Sequence, residues 1–424
     1  MVKREVDLLV ENAGELITLR GGSKRQLLFQ QMRNLGIIRD SSVAVDQGRV
    51  VAIGKTDDIR KRIQGRETLD ASGKVVMPGF VDPHTHLVFA GSREDEFEMR
   101  IEGASYMDML ERGGGIVKTV RETRKASKQR LVKDCEKTLN IMLEYGTTTV
   151  EAKSGYGLTT EDELKCLEVI RILNEKHPID IVPTFLGAHA IPVEHSGDAD
   201  EYVSLILEEM IPAVATGRLA EFCDVFCEKG VFNIEQSKRI LLEGKRHGLI
   251  PKIHADEMTG LGGAELAAEV KAVSASHLLF PSDEGIKALA RGGIMAVLLP
   301  GASFSLMAER YANARKMIKE GVAIALGTDY NPSCWLENQQ ITIALACHQM
   351  RMIPAEAIAA ATINAAHTLK RARDVGSLEP QKYADLTILN IPSHRFLGYR
   401  FGTNLVDKVI KKGKLVVDEG RMIG

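Results

Sequence analysis

The chain has 424 residues, enough for two or three domains of ordinary size or for one large barrel with a smaller companion. With 44% hydrophobic and 26% charged residues it matches an ordinary globular protein, which sets aside disordered, collagen-like and disulfide-stapled classes. The 55 Lys and Arg against 57 Asp and Glu leave a net charge of −2 with no long run of one sign, so the basic footprint that nucleic acid requires is missing.

In chain order, residues 1–74 read as short alternating strands such as VDLLVENA and SSVAVDQGRVVAIG, joined by Gly-containing turns. Glu5 and Asp7 interrupt the basic start, so no secretory apolar region forms, and no apolar stretch reaches the roughly 18 residues that a membrane span takes. Six scattered cysteines form neither a disulfide framework nor a paired zinc motif. A cytoplasmic protein with no membrane partner is expected.

From residue 75 a different pattern begins: a β-branched apolar run, a polar turn, then a helical period, repeated eight times. The runs are VVMPGFVDPH, TTTVEAK, IDIVPTFLGAH, FCDVFCEKG, LIPKIHADE, AVSASHLLF, IMAVLLPG and VAIALGTDYN. Such alternation fits a (β/α)8 barrel or an open doubly wound sheet. The polar residues decide between them. Seven of the eight runs end in groups able to do chemistry: His84 and His86, Lys153 and Tyr156, His189, Glu228, His254 with Glu257, His277, and Asp329. A barrel brings all of these to one mouth, whereas an open sheet concentrates its site between two strands. The expected fold is therefore an α/β (β/α)8 barrel over residues 75–379. The strand-like tail, 380–424, joins residues 1–74 in a small β-sandwich built from both termini. Lys411, Lys412 and Lys414 read as a solvated turn of that sandwich. The long connection from Val88 to Thr147, with Tyr106, Met107, Met109, Leu110 and the glycines 113–115, reads as a lid.

In an extended chain residues i and i+2 share a face, so His84 and His86 can meet one ion. On its own, such a pair is as readily half-buried or solvated. The leading Asp82-Pro83 and the further polar strand ends turn the balance towards ligands. His254 and Asp329 complete a three-nitrogen, one-oxygen set for a single di- or trivalent metal ion, with zinc the leading candidate and iron the alternative. His177, His195, His247 and His394 read as surface residues, and His348 and His367 as packing or capping groups. Cys223 and Cys227 share a strand face and read as core.

Five segments together carry a resemblance: PGFVDPHTHLVFAGSR (78–93), KSGYG (153–157), FLGAHAIP (185–192), HADE (254–257) and TDYNP (328–332). They resemble the amidohydrolase superfamily and, within it, the imidazolonepropionase family, and the likeness covers nearly the whole chain. The resemblance implies hydrolysis of the cyclic amide of 4-imidazolone-5-propanoate to N-formimidoyl-L-glutamate, a small anionic heterocyclic substrate, and a homodimer. It assigns Arg93 to the propionate, although by itself Arg93 followed by Glu94, Asp95 and Glu96 would be read as a surface ion pair. It assigns Tyr156, His189 and, in the lid, Tyr106 to substrate. Glu257 becomes an acid/base and substrate-contacting residue that can share proton transfer with Asp329. His277 orients water or polarises the carbonyl, the alternative being a satisfied core histidine.

Lys153 ends the second strand. The bridging lysine of two-metal relatives belongs on the fourth, so one ion is expected. Asn331 fits the family pattern after the eighth strand, but Ser333 stands where many relatives have glycine and Cys334 where they have a hydroxyl residue. Substrate contacts assigned to Ser333 and Cys334 are thus placed in doubt. Two other readings fit the residues: a deaminase or other cyclic amidase acting on a different heterocycle, and a barrel that binds without catalysing.

Overall fold

All eight apolar runs form strands in the computed structural model, which describes residues 3–103 and 114–423. The barrel strands are Phe80–Asp82, Thr147–Lys153, Asp180–Ala188, Phe222–Cys227, Ile250–Ala255, Ser274–His277, Met295–Leu298 and Ile324–Leu326. Each pairs in parallel with the next in chain order. The ring closes where the first strand meets the eighth. There Thr85 bridges Tyr330, the His86 amide donates to the Tyr330 carbonyl at 2.8 Å, and the Asp329 amide donates to the His84 carbonyl at 3.0 Å. Buried Asp82 ties the same seam from below, accepting from the Thr328 amide at 3.1 Å and hydroxyl at 2.6 Å.

The connecting helices start where the sequence caps them. Thr159 accepts the Asp162 amide ahead of Thr160–Lys176, with Glu161, Asp162 and Glu163 in the first turn, where acids favour the helix dipole. Asn233 and Gln236 make a reciprocal capping box at Ile234–Arg246. The long connection after the first strand holds helices Glu94–Ile101, Ile116–Lys125 and Lys128–Glu144. Tyr106, Met107, Met109 and Leu110 lie outside the described residues.

The first apolar run divides. Val75–Pro78 pairs antiparallel with Leu386–Leu389, and after Gly79 the chain enters the barrel at Phe80. A side chain at Gly79 would run into Thr148, so this crossing needs glycine. Both termini build the sandwich. A four-stranded sheet runs in the order Arg49–Lys55, Ser41–Asp46, Arg4–Ala13, Ile63–Asp70. A six-stranded sheet carries Val75–Pro78 and Glu15–Leu16 beside four strands of the tail. Leu8, Val10, Val43 and Val45 of one sheet pack on Val76, Leu386, Ile388 and Ile410 of the other.

Two expectations about surface residues need correction. Lys411 is not in a solvated turn: it is buried, and its Nζ lies 2.6 Å from Asp385 and 2.8 Å from Asp180, the first residue of the third barrel strand. The cation therefore pins the sandwich to the barrel. His394 is partly buried, its backbone amide at 2.9 Å and Nδ1 at 2.8 Å from Glu15 Oε2, and His177 shares hydrogen bonds with Asn140 and Ile179. His348 and His367 bond the carbonyls of Gly398 and Gly22, as packing groups should. Among the described residues no helix is long and apolar enough to cross a membrane.

Removing Lys411 leaves buried Asp385 without an ion-pair partner among the described residues and Asp180 with Lys412 alone, so Lys411→Ala should destabilise the fold by about 3–5 kcal/mol, measured by denaturant unfolding. Burial would raise the Asp180 carboxyl, but Lys411 and Lys412 hold it below its ordinary 3.8. Its contribution is accordingly complete above that value and lost as pH falls through the lowered one. The acid limb of the stability curve should be shallower in the Asp180→Asn variant.

Candidate active site

His84 and His86 follow the first strand, His254 sits in the fifth, His277 ends the sixth and Asp329 follows the eighth, so barrel closure alone brings them together. His84 Nε2 lies 3.3 Å and His86 Nε2 3.5 Å from Asp329 Oδ1, and His254 Nε2 lies 3.3 Å from His86 Nε2. A tetrahedral ion bound at about 2.0–2.1 Å has neighbouring ligand atoms about 3.3–3.4 Å apart. The three contacts just given are close to that spacing, and His84, His86 and Asp329 form one group able to hold an ion, as do His84, His254 and His277. His84 Nε2 and Asp329 Oδ1 are buried with no hydrogen-bond partner among the described residues, which leaves both free to ligate. Burial, reinforced for His84 by Lys153 and for His86 by His189, pushes these imidazoles well below their ordinary 6.5. They are held neutral, the form that a metal ion requires.

The outer nitrogens are oriented in turn. His84 Nδ1 lies 3.0 Å from Ser276 Oγ, and His254 Nδ1 lies 3.1 Å from Asp224 Oδ2. Asp224, on the fourth strand, also takes Lys153 Nζ at 2.8 Å, and Lys153 reaches Glu151 at 2.8 Å. Glu151 in turn accepts from Lys252 at 2.5 Å and from the Thr184 hydroxyl at 2.5 Å. All five residues are buried. Burial would raise the Asp224 carboxyl, yet His254 and Lys153 hold it well below its ordinary value. The barrel floor is thus a paired charge network on which His254 rests.

Above it lies a cavity of about 580 Å³, bordered by His86, Arg93, Tyr156, His189, His254, Glu257, His277, Asp329, Asn331, Ser333 and Cys334. Every site residue expected from sequence borders it, except His84, which lies beneath its floor, and Tyr106, which falls outside the described residues. Arg93 donates from Nε to Thr119 Oγ1 and from Nη1 to Ser333 Oγ, both at 2.9 Å. Among the described residues its polar partners are these hydroxyls and no carboxylate, so it does not form the surface ion pair that its acidic neighbours suggested. His189 stacks on His86 with centroids 4.6 Å apart and shares Nδ1 with the Gly155 carbonyl at 3.0 Å. Burial takes His189 down to about 3. Glu257 Oε2 lies 3.4 Å from His277 Nε2. Burial, then the charges of Asp329 and Glu228, raise Glu257 well above its ordinary 4.5.

The loop carrying Glu257 is clamped on both sides. Asp256 accepts four amides, from Leu261 to Ala264, and Glu228 accepts the amides of Met258 and Thr259. Glu228 therefore serves the loop. His277 and Asp329 both sit at positive φ, 70° and 54°, where a non-glycine residue stores about 1–3 kcal/mol, the kind of strain that gathers at functional sites. Asn331 spends its side chain on its own turn, donating to the Asp329 carbonyl at 2.7 Å and accepting the amides of Ser333 at 2.8 Å and Cys334 at 3.1 Å. Cys334 is buried, its Sγ 3.6 Å from the Thr328 carbonyl. Trp335 lies half exposed, edge-on to Phe89 and Tyr330, away from the ligand set.

Sequence reasoning missed Asp224, Glu151, Lys252, Ser276 and Thr119. A signal existed for the acids and lysines: Glu151 with Lys153, Asp224 between Phe222 and Phe226, and Lys252 with His254 each occupy the i, i+2 face of a strand free of other charges. Charge on a buried strand face demands a partner.

Comparison with known proteins places the chain. A model of the amidohydrolase family matches residues 245–416, and a second model of the same description matches residues 67–116. The imidazolonepropionase of Geobacillus kaustophilus is 52% identical over 420 residues, covering 98% of this chain and 99% of that one. That of Brevibacillus brevis is 53% identical over 418 residues, covering 97% and 98%. The chain belongs to the imidazolonepropionase family. Among solved structures, an adenosine deaminase from Xanthomonas campestris with bound zinc matches with a TM-score of 0.72 at 19% identity, covering 100% of this chain and 95% of that one. An atrazine chlorohydrolase from Arthrobacter aurescens complexed with zinc matches with a TM-score of 0.74 at 17% identity, covering 98% and 96%. These two share the barrel fold with imidazolonepropionases. Family membership and the histidine-rich cluster together point to a divalent metal ion at this site.

Because Asp224 orients His254, Asp224→Ala should weaken metal binding about 10- to 100-fold, read by competition with a chromogenic chelator, while the far-ultraviolet circular dichroism stays that of the parent.

Proposed function

We propose that this chain hydrolyses the ring amide of 4-imidazolone-5-propanoate to N-formimidoyl-L-glutamate, in histidine catabolism, with one zinc ion, or iron in its place, held by His84, His86, His254 and Asp329. The observation that carries this reading is the pairing, across one cavity, of a close-set cluster of imidazoles and the Asp329 carboxylate with an Arg93 guanidinium that has no carboxylate partner among the described residues. Such an ion supplies Lewis acidity and brings the pKa of water towards neutrality. One ion suffices because the Lys153 amine is already committed to Glu151 and Asp224 and is not available to bridge a second.

The remaining tasks fall to side chains. Arg93 takes the propionate through parallel N–H donors. Tyr156 and His189 border the same cavity and hold the ring. His277, kept neutral by burial, donates from its ring to the amide oxygen as charge develops there. Hydrolysis requires one proton to leave the attacking water and one to reach the departing ring nitrogen. Glu257, whose carboxyl is raised well above its ordinary value by burial and then by the charges of Asp329 and Glu228, holds a proton more readily than an exposed carboxylate and supplies the second. Asp329, ionised when a cation lies beside it, accepts the first.

Purified protein should open authentic 4-imidazolone-5-propanoate, followed as loss of imidazolone absorbance, and a chelator should abolish turnover. Metal-loaded protein that leaves this compound intact would contradict the assignment. A carboxylate-bearing substrate should lose about 10- to 100-fold in kcat/KM in Arg93→Ala, the size of a hydrogen bond to a charged group. A neutral heterocycle, as a deaminase would use, should lose far less.

A further inference from the structure

The contact between Arg93 and Ser333 is a feature that neither the ligand set nor the proton transfers explain. Ser333 stands where many relatives have glycine, so its hydroxyl is an addition to the loop. That hydroxyl is held in place: Asn331 accepts the Ser333 amide at 2.8 Å and anchors itself on the Asp329 carbonyl, beside a metal ligand. From this fixed turn Ser333 Oγ accepts Arg93 Nη1 at 2.9 Å, while buried Thr119, on the helix Ile116–Lys125, accepts Nε at 2.9 Å.

A guanidinium has five N–H donors, and these two contacts use Nε–H and one of the Nη1 hydrogens. Three remain, all on Nη1 and Nη2. An arginine on a flexible stem has many rotamers, and a carboxylate is bound well only when the planar fork is already aimed. We propose that Ser333, together with Thr119, aims the Arg93 fork into the cavity and thereby sets this enzyme's preference for a substrate bearing a carboxylate. Ser333 is in this account a positioning residue that acts through Arg93, and the inference rests on the reading of Arg93 as the carboxylate site.

The test compares kcat/KM for 4-imidazolone-5-propanoate with that for its neutral propanamide analogue in the metal-loaded enzyme. Loss of one oriented hydrogen bond should lower the acid-to-amide ratio about 3- to 10-fold in Ser333→Ala and, in the same direction, in Thr119→Val. Ser333→Thr, which keeps the hydroxyl, should retain the parent ratio. If Arg93→Ala collapses the ratio while Ser333→Ala keeps it, or weakens both substrates equally, the positioning role is overturned and the carboxylate site stands. If Arg93→Ala itself leaves the ratio at the parent value, the carboxylate site falls and this proposal with it.

Discussion

The seam between the first and eighth barrel strands is the constraint on which the site depends. His84 and His86 follow one side of it and Asp329 the other. Their approach is set by the His84 carbonyl accepting the Asp329 amide at 3.0 Å and by Asp82 gripping Thr328. No local preference of either segment would bring a carboxylate to 3.3 Å from an imidazole across more than two hundred residues of chain. Closure does so, and the fifth strand then supplies His254 from the far side of the ring.

Beneath the ligands the barrel is filled unusually. Many barrels pack layers of Val, Ile and Leu inside, but here Glu151, Lys153, Asp224 and Lys252 share the interior. Four buried charges carry a large desolvation cost, which is met only when each finds partners, and each does. The result is directional in a way that an apolar layer is not. Asp224 lies 3.1 Å from Nδ1 of His254, while Nε2 faces His86. Rigidity at the histidines thus comes from the floor of the barrel, and above it the Glu257 loop and Arg93 are held by hydrogen bonds of their own.

The legible part of the sequence was the part written in local periodicity. Eight apolar runs, seven of them with a polar residue at the strand end, announce parallel strands feeding one mouth. His84 and His86, two residues apart, announce imidazoles on one face, and the fold sets both beside Asp329. Partnerships across long sequence separations were not legible. Lys153 meets Asp224 from 71 residues away, Lys411 meets Asp180 from 231, and Arg93 meets Ser333 from 240. Nothing in the composition around Lys411 distinguishes it from a solvated turn, because its partners Asp385 and Asp180 lie 26 and 231 residues away in the chain. The same limit applies to Ser333, whose departure from the family pattern reads as a loss of contacts until the fold shows its hydroxyl on Arg93.

Three imidazoles and one carboxylate share a single cation in the proposed centre. The most direct test is a titration of metal-free protein with zinc, ring opening being measured at each addition. Activity should climb in proportion to added metal and level off sharply at one equivalent per chain. Full activity before any metal is added, or a plateau reached only at two equivalents, would contradict it.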